Sequence, residues 1–259
     1  MLRKLLKYDF KTLLHTLLPM YAIALSLSII SNIFLKLERI TPIFRVPTVF
    51  IVGLSVLVSV GISLVTLIIG IINFYKQTVK DEGYLLHTLP VSKKNIILSK
   101  LISLNVMQIL SIIITIITFL ITINLKSVVL RDLIKSIIEG ISDYKITALL
   151  VFLTVIVGQI TNTLLIYVSI SFGQKHSTNK LLFSIIYGVA IYHITQIVTM
   201  IIYLPILLNE NIVDSLNETI PESQALNIVL GISLIFSFII GTVYYIFTKK
   251  NLETKLNLE

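Results

Sequence analysis

Leu101 to Leu125 reads LISLNVMQILSIIITIITFLITINL, a stretch without a single Asp, Glu, Lys or Arg. In water, Ile and Thr at this density would favour strands. A membrane-spanning helix needs about 20 consecutive apolar residues. A backbone inside lipid must also satisfy its own hydrogen bonds, which a helix does locally. Length and absence of charge therefore outweigh strand propensity, and the stretch predicts a transmembrane helix. Five further charge-free stretches follow the same logic: Leu17 to Leu35, Val46 to Tyr75, Ile146 to Gln174, Leu181 to Asn209 and Ser223 to Thr248. The expected fold is all-α, a polytopic membrane protein in which residues 1–259 form one transmembrane domain. Its six spans are placed at about 17–35, 49–75, 101–123, 146–172, 181–208 and 226–247.

Composition agrees with this reading. The chain is 56% hydrophobic and 13% charged, whereas soluble domains carry roughly a quarter charged residues. A net charge of +8 raises the possibility of nucleic acid, but the charges sit in short clusters between long apolar runs and form no basic face. No cysteine is present, so disulfides, thiol nucleophiles and cysteine-based zinc sites are excluded.

The distribution of Lys and Arg sets the orientation. Fourteen lie in the N-terminal segment, the second connection, the fourth connection and the tail, against seven on the opposite side. Acidic residues lean the other way, five against eight. The positive-inside rule then places both termini in the cytoplasm. In residues 1–18, Leu2, Leu5, Leu6, Phe10, Leu13, Leu14 and Leu17 recur at helical spacing, with Arg3, Lys4, Lys7 and Lys11 on the other side. That pattern predicts an amphipathic interfacial helix facing anionic lipid, with a bend at Pro19 into the first span. The second outer connection repeats the pattern, with Leu130, Leu133, Ile134, Ile137, Ile138 and Ile141 opposite Arg131, Asp132, Lys135 and Glu139. Such a helix either lies along the outer leaflet or caps the outer mouth of a pathway.

Recognised reaction machinery is absent from the sequence. It contains no GxxxxGK[ST] phosphate loop, HExxH or GxSxG motif, and no histidine pair at ligand spacing. No acidic or basic residue lies within the six charge-free stretches, although ion-coupled carriers normally need one there. The chain is therefore not expected to be an enzyme or to bind a cofactor or metal directly. Polar stripes do run along the spans. One joins Asn105, Gln108, Ser111, Thr115, Thr118 and Thr122, and another joins Tyr192, Gln196, Thr199 and Tyr203 beside His193. Gln159, Asn162 and Thr163 share a face of the fourth span. These stripes serve either interhelical hydrogen bonding or an amphipathic substrate route. Small residues at four-residue spacing, Ser55, Ser59 and Ser63, then Ser233, Ser237 and Gly241, favour close helix packing.

The connection at 76–95 reads KQTVKDEGYLLHTLPVSKKN. Tyr84, Leu85, Leu86 and Leu89 form an apolar cluster in a segment too short to fold alone, closed by Pro90, with Ser92 placed to cap the next helix. Such a patch marks either a partner surface or an amphipathic segment resting on the inner leaflet. With its acidic-glycine start, Leu-Pro end, basic pair Lys93–Lys94 and entering Lys100, the segment resembles the first inner loop of membrane subunits of bacterial type-2 ABC exporters. The N-terminal basic helix, the six spans and the short basic tail extend that resemblance over the whole chain.

The resemblance implies a permease subunit in the bacterial cytoplasmic membrane that pairs with a second permease subunit, identical or related. Separate ATPase subunits, which bind ATP and Mg, would supply the energy. Asp81, Glu82, Gly83, Tyr84, Leu85, Leu86, Leu89 and Pro90 would then form the coupling helix. The second and fifth spans would line the route, with Ser59, Ser63, Tyr192, His193, Gln196 and Thr199 as candidates. The implied cargo is an amphipathic peptide, lantibiotic or hydrophobic drug. The alternative from another class is a self-standing carrier or immunity protein with no ATPase.

Overall fold

A computed structural model describes residues 1–79, 91–123, 128–176, 178–208 and 222–254. Among the described residues it contains helices α1 (Leu2–Ile40), α2 (Arg45–Val79), α3 (Lys93–Ile123), α4 (Val128–Asp143), α5 (Lys145–Gly173), α6 (Lys180–Leu208) and α7 (Glu222–Thr254). A 3-10 turn at Pro42–Phe44 joins the first two, and no strand occurs among these residues. Six of the helices are long and apolar enough to cross a membrane; α4 is the exception. The spanning helices run past the charge-free stretches because a helix does not stop where hydrocarbon stops. At 39 residues, α1 is about 58 Å long against a hydrocarbon core of ~30 Å.

Residues 1–18 are the first part of α1, not a separate helix: Pro19 lies inside a continuous helix. A buried seam explains the continuity. Asp9, Leu13, Leu17, Tyr21, Ala24, Ser28 and Ser31 are buried at steps of three and four, so one face stays in contact on both sides of the proline. Proline removes one backbone hydrogen bond, and packing on either side offsets that loss.

The chain divides into two compact units, Met1–Phe74 with Asn95–Ile137, and Tyr75–Lys94 with Ile138–Glu259. In the first, Leu13, Leu17, Tyr21 and Ala24 of α1 pack with Ile62 of α2 and Met107 of α3. Polar groups tie the same helices together. The Tyr21 hydroxyl lies 2.7 Å from Ser111 Oγ, which lies 2.7 Å from Thr66 Oγ1. Gln108 Nε2 donates to Ser63 O and Oγ, and Thr115 Oγ1 donates to Ser59 O. Asn32 Nδ2 donates to Ile121 O. Gln108, Ser111 and Thr115 of the α3 stripe are therefore occupied in contacts with other helices, and Ser59 and Ser63 belong to the α2–α3 contact.

The first unit also holds a buried ion pair that joins positions far apart in sequence. Lys100 Nζ lies 3.2 Å from Asp9 Oδ1, and both side chains are buried. Ser99 Oγ donates to Asp9 Oδ2 at 2.5 Å, a length usual for a hydroxyl bonded to a carboxylate. The pair fixes the first turns of α1 against the start of α3.

In the second unit α5 packs against both α6 and α7. The α5–α6 turn is tight. A Cβ at Gly173 would collide with Ser184 Oγ and lie 2.7 Å from Ser184 N and 2.8 Å from Lys180 O. Only glycine allows this approach. Asn179 takes a left-handed φ of 51° just before α6, a conformation asparagine accepts more readily than most residues. The His176 ring stacks on Phe183 at 3.7 Å, and Nε2 lies 3.2 Å from the Tyr187 hydroxyl. Along α7, Thr161 Oγ1 of α5 donates to Ser237 O at 3.0 Å. A Cβ at Gly241 would come within 2.9 Å of that hydroxyl. The small-residue face of α7 is thus a close-packing surface.

The Asp9–Lys100 pair supports a direct prediction. Asp9→Ala leaves a buried ammonium without its carboxylate and should lower unfolding free energy by about 3–5 kcal/mol. Asp9→Leu combined with Lys100→Met should recover most of that loss, because it removes both charges. Thermal unfolding of the purified protein in detergent measures both. A single mutant as stable as the parent would show that the pair contributes nothing.

Candidate functional site

A groove of about 290 Å³ opens between α5, α6 and α7 in the second unit. From α6 it is lined by Tyr192, Thr195, Gln196, Thr199 and Tyr203, the stripe expected from sequence together with Thr195. From α5 come Gly158, Thr161, Asn162 and Leu165, and from α7 come Ser233, Phe236, Ser237, Ile240 and Tyr244. Helical geometry explains the α6 contribution, since residues spaced at three and four share one face. Gly158 lacks a side chain to fill the space, and a Cβ there would meet nothing within 4 Å.

The lining contains no Asp, Glu, Lys, Arg or His. Several of its hydroxyls are already engaged with backbone. Thr195 Oγ1 donates to Ile191 O, Thr199 Oγ1 to Thr195 O and Ser233 Oγ to Leu230 O. Thr195 also shares a short hydrogen bond with the buried Tyr244 hydroxyl, which bridges α6 to α7. The Asn162 and Gln196 amides are different: both are exposed, and neither makes a hydrogen bond among the described residues. Within a lipid-embedded helix bundle an amide without a partner costs free energy. An occupant that offers hydrogen bonds would relieve that cost. The groove can therefore hold the uncharged, hydrogen-bonding part of an amphiphile, with Leu165, Phe236 and Ile240 contacting its apolar part. It offers no countercharge for an ion.

The sequence candidates divide in consequence. Tyr192, Gln196 and Thr199 come together in the groove. His193 does not line it; its ring stands edge-on to Tyr192 at 5.6 Å and is exposed. Ser59 and Ser63 face α3 within the first unit. Asp81, Glu82, Gly83, Tyr84, Leu85, Leu86, Leu89 and Pro90 lie outside the described residues. Among the described residues no group of three or more His, Asp or Glu could hold a metal ion.

Tyr244 was not singled out in the sequence. Its available signal was the step from Ser237 and Gly241 to Tyr244, which continues the small-residue face of α7. Asp9 was also missed, although it is a lone acid among basic residues and falls on the seam that Leu13 and Leu17 continue.

The Thr195–Tyr244 bridge should be measurable. Thr195→Val and Tyr244→Phe should show a coupling free energy of about 0.5–1.7 kcal/mol in a double-mutant cycle, the range found for polar pairs between membrane helices. Unfolding in mixed micelles reads it, and a coupling indistinguishable from zero would show that the bridge does not hold the groove. In the comparisons with known proteins, no family model, no curated protein and no solved structure matches the chain.

Proposed function

We propose that the chain is the permease subunit of an ATP-driven ABC exporter in a bacterial cytoplasmic membrane. It pairs with a second permease subunit and with separate ATPase subunits that bind ATP and Mg. Its cargo is an amphipathic or hydrophobic molecule such as a peptide, lantibiotic or drug. The observation that carries this reading is an uncharged groove set among spanning helices. The groove offers hydrogen bonds and apolar contact to an amphiphile but its lining contains no acidic or basic side chain of the kind ion-coupled carriers use. In this reading the energy enters through another chain.

In this proposal the point of entry is the loop before α3. The segment 76–95 carries Tyr84, Leu85, Leu86 and Leu89 between basic flanks. This is the apolar surface that would fill a groove of the ATPase, with Asp81 and Glu82 as polar contacts at its rim. Both termini and this loop are cytoplasmic in the proposal, as the excess of basic residues on that side requires. The exposed basic residues Arg3, Lys4, Lys7 and Lys11 of α1 then face the anionic inner leaflet. The Asp9–Lys100 pair ties α1 to α3, the helix that follows the loop, so movement of the loop would be passed to α1 as well.

The test is recovery of the ATPase with the tagged permease from its own membrane. Replacing Leu85 and Leu86 by Ser should leave membrane insertion intact, since the spans and basic flanks are unchanged. Burial of each Leu stabilises by about 1.5–3 kcal/mol, so the pair should cost about a hundredfold or more in affinity. Glu82→Ala should affect coupling more than assembly, because a rim charge sets register more than affinity. A double mutant that retains the ATPase and exports normally would contradict the proposal and favour a self-standing membrane protein.

A further inference from the structure

Helix α4 has no role in the proposed export route, yet it is the most sharply amphipathic helix of the molecule. Its 16 residues span about 24 Å at 1.5 Å per residue, short of the ~30 Å hydrocarbon core. Charged residues punctuate it at Asp132, Lys135 and Glu139. It therefore cannot cross, and the chain stays on one side of the membrane between the spans that α4 joins. At 100° per residue its apolar positions from Val129 to Ile141 fill one half of the helix circumference and its charged positions fall in the other, where Val128 is the only apolar residue to join them.

The described apolar side chains of α4 are uncovered. Ile137, Ile138 and Ile141 are 58%, 61% and 53% exposed. Just past α4, Ile146 and Leu149 in the first turns of α5 are 67% and 57% exposed on a helix apolar enough to span, so α4 leads directly into a helix whose exposed apolar side chains meet lipid. The charges from Arg131 to Lys145, namely Arg131, Asp132, Lys135, Glu139, Asp143 and Lys145, cancel. Attraction to anionic headgroups therefore cannot be what holds the helix down.

We infer that α4 is an in-plane membrane anchor, lying along the headgroup boundary with Ile137, Ile138 and Ile141 in the acyl region, held by apolar burial and indifferent to lipid charge. This is independent of the ATPase reading and would stand if that reading failed.

The absence of cysteine makes the test clean. The full-length protein is prepared as single-cysteine variants Ile137→Cys, Ile141→Cys, Glu139→Cys and Ser142→Cys, two positions on each face so that the loss of one variant leaves the comparison intact. Each is labelled with an environment-sensitive fluorophore and reconstituted into phosphatidylcholine vesicles. Quenching is then compared between iodide in the water and nitroxide-labelled lipid. The lipid-to-iodide quenching ratio should be at least about threefold higher at positions 137 and 141 than at 139 and 142, as for a helix lying in the interface. Replacing a third of the lipid by phosphatidylglycerol should leave that ratio unchanged. Equal iodide access on both faces, or shielding of 137 and 141 from both quenchers by protein, would overturn the anchor. A strong dependence on anionic lipid would overturn its apolar origin.

Discussion

Every backbone amide within the bilayer must find its partner inside the protein, and the rest of the structure follows from that requirement. Helices meet it locally, so the chain becomes a set of long helices and its charges collect at their ends. Many side-chain hydroxyls meet the same constraint locally. Thr66, Thr163, Ser169 and Thr248 each donate to the carbonyl one turn back, on Ile62, Gln159, Leu165 and Tyr244. Serine and threonine can therefore be buried throughout the spans without a partner on another helix. Where polar groups do reach across, as in Gln108 to Ser63 or Thr161 to Ser237, they lock neighbouring helices at short range.

Among the places that depart from local satisfaction, two enter the proposed function. Asp9 and Lys100 are charged and buried, and they meet across the contact of α1 with α3. Such a pair contributes little net stability over an apolar contact, but it costs several kcal/mol if one partner is removed. That asymmetry makes it a device for holding register. Asn162 and Gln196 are the second departure: their amides open into the groove without a partner among the described residues. The ion pair favours one arrangement of helices, whereas the free amides favour a visitor. The proposed permease would use both, a first unit held in register and a polar surface offered to cargo.

The six spans were legible in the sequence because absence of charge over about 20 residues is a direct reading of the lipid constraint. Helix ends were less so, since α1 and α7 continue into charged sequence where hydropathy says nothing. Pro19 did not end a helix: the seam from Asp9 to Ser31 runs through it within one continuous α1. The α6 stripe was visible from its spacing alone, yet its partners on α5 and α7 depend on how three helices cross, and no local pattern encodes that. His193 illustrates the limit, because it neighbours Tyr192 in sequence and points off the groove. Asp9 found its partner 91 positions away, beyond the reach of any periodicity. The charge in α1 that sequence reading left unassigned proved to be part of the core.

Accessibility of single cysteines in intact cells tests the six-span arrangement most directly, using an impermeant thiol reagent. Substitutions at Ser92, Ser177 and Thr254 should remain unlabelled until the membrane is opened, while those at Ser142 and Ser215 should react at once. The α5–α6 turn is the decisive position for the first four spans, because loss or gain of one of them moves it to the other side. Labelling at Ser177 from outside would contradict the arrangement, and with it the cytoplasmic placement of the segment through which energy is proposed to enter.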